Sequence, residues 1–281
     1  MKDKGIKPES IRGVGVTNQR ETIVAWDSET GEPLYNAIVW CDARTADIAD
    51  AFAKKHGDMK ERVGLVPSSY FSLFKILWLV ENVPIVKQKL NENKVRFGNI
   101  DTWVVYHITG KYVTDASNAS RTFLYNLKGH WDEELFAMAG LPLECMPKVV
   151  GSFENVGIIN TGSLNGLNIP VCSILGDQQS SAYAHNLQNS ETKCTYGTGC
   201  FLMMSIGNKP TIFKDFITTI MFRQGDDVQY GIEASVECGA GTINWLRSLG
   251  LFGSFDELNE VADNGGLVFY PTFGRIMSPY W

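Results

Sequence analysis

Ile169 to Leu175 is a short, mainly apolar run of buried-strand length. It passes through Gly176-Asp177 into the small polar residues Gln178-Gln179-Ser180 and then a helical pattern. A strand that turns through a glycine and a carboxylate into a helix belongs to an α/β layout. It also sets Asp177 at the carboxyl end of the strand, where open α/β sheets form their ligand crevices. The next segment, Thr195-Tyr196-Gly197-Thr198-Gly199-Cys200-Phe201, places two glycines and a threonine hydroxyl in a tight turn whose backbone N–H groups can approach a phosphate closely. A carboxylate able to take a hydroxyl proton, beside a loop able to hold phosphate oxygens, is the minimum equipment for phosphoryl transfer to an alcohol. The same residues also fit a plain N-capping aspartate and an ordinary hairpin turn.

The rest of the chain alternates strands and helices. Ile11 to Val16 and Glu21 to Trp26 read as strands, followed by a turn cluster at Asp27 to Pro33 and a third strand at Asn36 to Trp40. Ala43 to Lys55 carries Ile48, Ala51 and Phe52 at helical spacing. Phe71 to Val86 reads as a helical segment interrupted at Pro84, and Asn99 to Thr109 fits helix or strand equally. The small-residue stretch Thr161 to Gly166 marks a linker, with a domain boundary expected near residue 168. Beyond it come a hairpin from Lys193 to Ile206, strands at Thr218 to Phe222 and Val228 to Ala234 around a Gly225-Asp226-Asp227 turn, and helices at Gly239 to Leu249 and Phe255 to Asp263.

Composition narrows the function class. With 44% apolar and 20% charged residues the chain can build a sizeable core, and a net charge of −6 without a basic run argues against nucleic acid as a partner. No apolar run reaches the length of a membrane span, and Met1 to Lys7 does not read as a signal peptide, so a cytoplasmic location is expected. The six cysteines form no Cys-x-x-Cys pair, which points to reduced core thiols rather than disulfides or zinc.

Two further groups carry chemistry. In Asn18-Gln19-Arg20-Glu21, a guanidinium offers fixed donors and the adjacent carboxylate only acceptors, so the pair can bracket vicinal hydroxyls; it can equally be a solvated ion pair at a strand end. Trp40, Tyr70 and Phe201 read as core by default, although a polyol's carbon face would pack on such rings.

The run Tyr70-Phe71-Ser72-Leu73-Phe74-Lys75-Ile76-Leu77-Trp78-Leu79-Val80-Glu81-Asn82 resembles the first signature of the FGGY carbohydrate kinases. Gly15 to Thr22, Asn36 to Trp40, Asn118 to Thr122 and the segments around Asp177 and Thr198 resemble the glycerol-phosphorylating branch of that family. The resemblance implies an α/β, actin-like (ribonuclease-H-like) two-domain sugar kinase fold. Its polyol-binding part would be 1–168, and 169–281 would carry the base and the nucleotide side. It implies ATP and Mg²⁺ as cofactors, glycerol and ATP/ADP as partners, and leaves room for a homo-oligomer. Asp177 would be the general base and the contact for Mg²⁺ brought by ATP. Arg20, Glu21, Tyr70 and Gln178 would hold the hydroxyls of glycerol, and Trp40 and Phe201 would wall its carbon backbone. Thr198 and Gly199 would meet the nucleotide's phosphates, with Ala240, Gly241 and Asn244 on the same side of the cleft. Asn244 stands where the family often has glutamine, keeping the amide but shortening its reach. Nothing in Met1 to Ser10 resembles the family's Asp-x-Gly-Thr phosphate hairpin, and Thr272 to Ser278 departs from its glycine-containing loop. The resemblance therefore implies that both domains are incomplete. A non-catalytic, kinase-like chain that binds polyol or a partner subunit, and a kinase for another small polyol or sugar, remain as alternatives.

Overall fold

The computed structural model of the chain describes residue 5 and residues 7–260, 263–271, 273 and 277–281. Five of the first six residues, and all of the 272–276 stretch except Phe273, lie outside these. The first strands are β1 (Val14–Asn18) and β2 (Ile23–Asp27). Next come α1 (Ala46–His56), α2 (Lys60–Val63), α3 (Ser72–Asn82) and α4 (Pro84–Asn91), then β3 (Val95–Asn99), α5 (Ile100–Thr109), β4 (Val113–Asp115) and α6 (Ala116–Ala119). α7 (Glu133–Ala139), β5 (Lys148–Val150), β6 (Gly157–Ile158), β7 (Pro170–Gly176) and α8 (Asp177–Ala184) follow. The last elements are β8 (Thr192–Tyr196), β9 (Cys200–Gly207), β10 (Ile217–Gln224), β11 (Asp227–Val236) and α9 (Gly241–Ser248).

One pairing positions the site. β1 and β7 run parallel, with Asn18 opposite Gly176, so the end of β1 delivers Gln19, Arg20 and Glu21 beside Asp177. β6 completes this sheet on the other side of β7. α5 packs against β1 and β7, burying Val105, Ile169, Val171 and Ile174 in a shared core. A separate antiparallel sheet has the order β10-β11-β9-β8. The largest core lies between β2, β3 and the α1–α4 helices, around Ile23, Phe71, Phe74, Phe97 and Phe123.

Several elements differ from the expected ones. Asn36 to Trp40 is not a strand: Ile38 alone bridges, to Ile23, and the residues around it are largely exposed. The interruption expected at Pro84 is present, and Pro84 opens the next helix. It occupies the first turn of α4, where its missing N–H costs nothing, and the extended Val83 separates α4 from α3. The ambiguous 99–109 stretch is helix, stopped by Gly110 in the left-handed conformation at φ 74°. The expected last helix is a 3-10 turn at Phe255–Asn259; residues 261 and 262 lie outside the described set. The cysteines are free, but only Cys145 is buried, because Cys172 and Cys194 sit at outward positions of β7 and β8. Among the described residues, no helix is long and apolar enough to cross a membrane.

Candidate active site

The site begins where β1 ends. The chain reverses there through a three-residue turn in which Thr22 N–H donates to Arg20 C=O at 2.6 Å. Glu21, at its centre, sits at φ 59°, a conformation that costs a non-glycine residue on the order of 1 kcal/mol and persists only where neighbours fix it. Ser72 does so at the head of α3: its hydroxyl donates to Glu21 C=O at 3.0 Å and accepts from Asn99 Nδ2 at 3.0 Å. Asn18 is fixed one step earlier by exchanging amide hydrogen bonds with Asn118 at 2.9 and 3.1 Å.

The Arg20–Glu21 pair is not a solvated ion pair. Both side chains are buried, and Arg20 reaches away from its sequence neighbour to Glu233 on β11, donating from Nη1 at 2.5 Å and from Nη2 at 3.0 Å. Nη1 also reaches Gln179 Oε1 at 3.3 Å, and Nε lies 3.5 Å from Asp177 Oδ1. Glu21 is held instead by Arg121, whose Nε donates to its Oε1 at 2.5 Å and whose Nη2 donates to Glu233 at 3.2 Å. The Arg121 guanidinium lies over the Tyr70 and Phe71 rings, 5.4 and 5.3 Å from their centroids. Its Nη1 is buried with no hydrogen-bond partner.

The electrostatics follow from this pairing. Burial pushes the Glu233 carboxyl up, but Arg121 and Arg20 outweigh it and hold the group down at about 2. Burial prevails at Glu21 and raises it above the usual carboxylate range, against the pull of Arg121 and Arg20. Burial also lowers the ammonium of Lys193, with Glu233 opposing.

Asp177 is the first residue of α8, not its cap. Its side chain is 46% exposed, so the carboxylate faces outward while Arg20 approaches from within. An anionic group is favoured there by the helix N-terminus. Gln178, next to it, is buried, and its carbonyl oxygen accepts from Lys193 Nζ and from Thr195 Oγ1, the latter at 3.1 Å. The aromatic residues are grouped as well: Trp40 stands edge-on to Tyr70 and to Phe201, with centroids 6.0 and 5.9 Å apart. Tyr70 is fully buried, while Trp40 and Phe201 are only partly so.

The glycine-containing turn joins β8 to β9, and the N-terminus of α9 clasps it. Gly239 and Gly241 N–H donate to Thr198 C=O at 2.5 and 3.5 Å, and Ala240 N–H donates to Gly197 C=O at 2.8 Å. Gly199 is required by this closeness, since a Cβ there would stand 3.0 Å from Glu237 C=O and 3.1 Å from Val236 C=O. Thr198 is exposed, and Asn244 lies on α9 one turn past Ala240. The tie back to Asp177 runs through β8, by way of Lys193 and Gln178. Two open clefts, about 920 Å³ beside Arg62 and Asp132 and about 430 Å³ beside Tyr125 and Met146, share no residue with this constellation.

The sequence did not single out Glu233, Arg121, Gln179 or Lys193 for the site. The available signal was a charge in a strand otherwise apolar at its neighbours, as at Ile232-Glu233-Ala234, because such a charge must find a partner.

Residues 1–184 match the N-terminal domain, and residues 192–281 the C-terminal domain, of the FGGY family of carbohydrate kinases. A probable glycerol kinase of Caenorhabditis elegans is 40% identical over 296 residues, covering 100% of this chain and 59% of the relative. The crystal structure of Plasmodium falciparum glycerol kinase with ADP superposes with a TM-score of 0.85 at 35% identity, covering 96% of this chain and 56% of that one. A xylulose kinase from Rhodospirillum rubrum shares the fold, with a TM-score of 0.76 at 18% identity over 89% of this chain and 51% of its own. The chain thus spans somewhat more than half the length of the relatives it matches.

Proposed function

Since the chain belongs to the FGGY family of carbohydrate kinases and has their actin-like two-domain fold, we propose that its site phosphorylates glycerol, turning ATP and glycerol into ADP and sn-glycerol 3-phosphate. The observation that carries the reading is the parallel pairing of β1 with β7, which sets Arg20 Nε 3.5 Å from an outward-facing Asp177 carboxylate. Such a carboxylate can accept the proton of a hydroxyl held by Arg20. The freed oxygen attacks the γ-phosphorus in line, the bond to the β-phosphate oxygen breaks, and ADP leaves with that electron pair.

The other groups divide the remaining work. Glu21 is an acceptor for a second hydroxyl, and Gln178, its carbonyl oxygen already taken, offers its amide N–H. Trp40 and Phe201 present ring surface to the carbon backbone. The Gly197–Gly199 turn, clasped by Gly239 to Gly241, is the phosphate-facing element. The outward-facing Asp177 carboxylate is an oxygen donor of the kind that would meet a cation arriving on the nucleotide. Mg²⁺ bound in that way supplies countercharge to the transferring phosphoryl group.

Glycerol-dependent ADP release, followed with glycerol binding by calorimetry, tests the assignment. Asp177→Asn is expected to lower turnover by about 10³-fold or more, the scale of a lost general base, while glycerol binding stays within a few fold. Turnover that survives the substitution would remove Asp177 from the role.

A further inference from the structure

Glu233 touches none of the groups expected to contact substrate except Arg20, yet it is the best-connected charge in the site. Its carboxylate receives Nη1 and Nη2 of Arg20, Nη2 of Arg121 and the Ser235 hydroxyl, the last at 3.2 Å, and it is fully buried. Both terminal nitrogens of Arg20 are therefore engaged from behind, leaving Nε as its contact toward Asp177. Arg20, Arg121, Glu21 and Glu233 together carry two positive and two negative charges, so the buried cluster is neutral.

An open guanidinium fork binds carboxylate and phosphate groups in two-point fashion, and would do so strongly in a buried site. Here the fork is filled by the protein's own carboxylate. We propose that Glu233 is a specificity-determining and positioning residue: by occupying the Arg20 fork it fixes Nε beside Asp177 and keeps the site selective for uncharged polyols over their carboxylate and phosphate analogues. The proposal rests on the polyol reading above. β11 brings Glu233 across to Arg20 from the second sheet, so the group that neutralises the arginine is independent of the strand that carries it.

Charge and reach can be separated. Glu233→Gln keeps the volume, removes one negative charge and sets an N–H against a guanidinium. Glu233→Asp keeps the charge but retreats by one methylene. Calorimetric titrations of glycerol and of D-glycerate into the unaltered chain and both variants read the outcome. Loss of one charge-assisted fork corresponds to about tenfold in affinity. The unaltered chain should prefer glycerol. Glu233→Gln should bind glycerol about tenfold more weakly and D-glycerate about tenfold more tightly. Glu233→Asp should weaken glycerol with no gain for D-glycerate. An unchanged glycerol-to-glycerate ratio in Glu233→Gln overturns the proposal. So does equal binding of both ligands by the unaltered chain, a result that needs no variant to fold. Failure of the unaltered chain to bind glycerol overturns the polyol reading and this proposal with it.

Discussion

Arg20 lies against Gly176 so closely that the glycine is part of the arginine's position. A Cβ at residue 176 would stand 2.7 Å from Arg20 Cδ, 2.8 Å from Cγ and 2.9 Å from Gln179 Oε1. None of these can yield cheaply: Arg20 is pinned by Glu233, Gln179 by its contact with Ile220 C=O, and the Gly176 N–H by Ser117 Oγ at 2.9 Å. Gly176→Ala is therefore expected to cost about 1–3 kcal/mol of stability through overpacking, and to weaken glycerol binding at the same time. Thermal unfolding together with calorimetry reads both; a stable variant with undiminished affinity would show that the arginine is not held as described. At this scale the sequence was legible only in part. The residues expected to face the ligand form local motifs, as in Asn18-Gln19-Arg20-Glu21 and Gly176-Asp177-Gln178. Their supporting partners do not. Glu233 lies 213 positions from Arg20, and Arg121 lies 100 positions from Glu21, so nothing nearby in the chain announces either pairing.

The elements show the same division between what local rules decide and what packing decides. Gly110 and Pro84 set helix ends by backbone geometry alone, and both boundaries follow from the residue type. The 99–109 stretch does not resolve by pattern because the buried face of α5 carries Asp101, Thr102 and Thr109 beside Val105, while the apolar Trp103, Val104, Tyr106 and Ile108 are only half-buried, which reverses the usual polar stripe of a surface helix. The cost of that burial sits at Asp101. Its carboxyl is pushed from 3.8 up to about 7, first by burial and further by Asp115, while the Thr114 hydroxyl, donating at 2.6 Å, opposes. A raised carboxyl takes up a proton on folding. Its contribution is complete below the unfolded value near 3.8 and is lost as pH rises through about 7. Asp101→Asn should therefore gain stability relative to the unaltered chain between pH 5 and pH 8, by at most about 1.4 kcal/mol per pH unit. Melting temperatures of the two proteins across that range check the sign. A difference that is flat or that shrinks with pH would place the proton elsewhere, with Asp115, raised by the same burial, as the first alternative.

For the whole molecule, the α/β class followed from one strand-to-helix passage, but the arrangement of sheets did not. β1 and β7 are adjacent although most of the chain described before α8 lies between them, and only the folded structure joins the arginine to the aspartate. The two halves that match separate FGGY domains are linked at the site by buried charge, with Arg20 and Arg121 both donating to Glu233. A site built in this way needs the guanidinium shape, not merely a positive charge. The most direct test is a calorimetric titration of glycerol into the unaltered chain and into Arg20→Lys, an ammonium having no two-pronged fork for the Glu233 carboxylate to occupy. One glycerol site is expected, with an affinity that falls by about tenfold or more in Arg20→Lys, as one charge-assisted contact is lost. No glycerol binding by the unaltered chain, or equal affinity in both proteins, would contradict it.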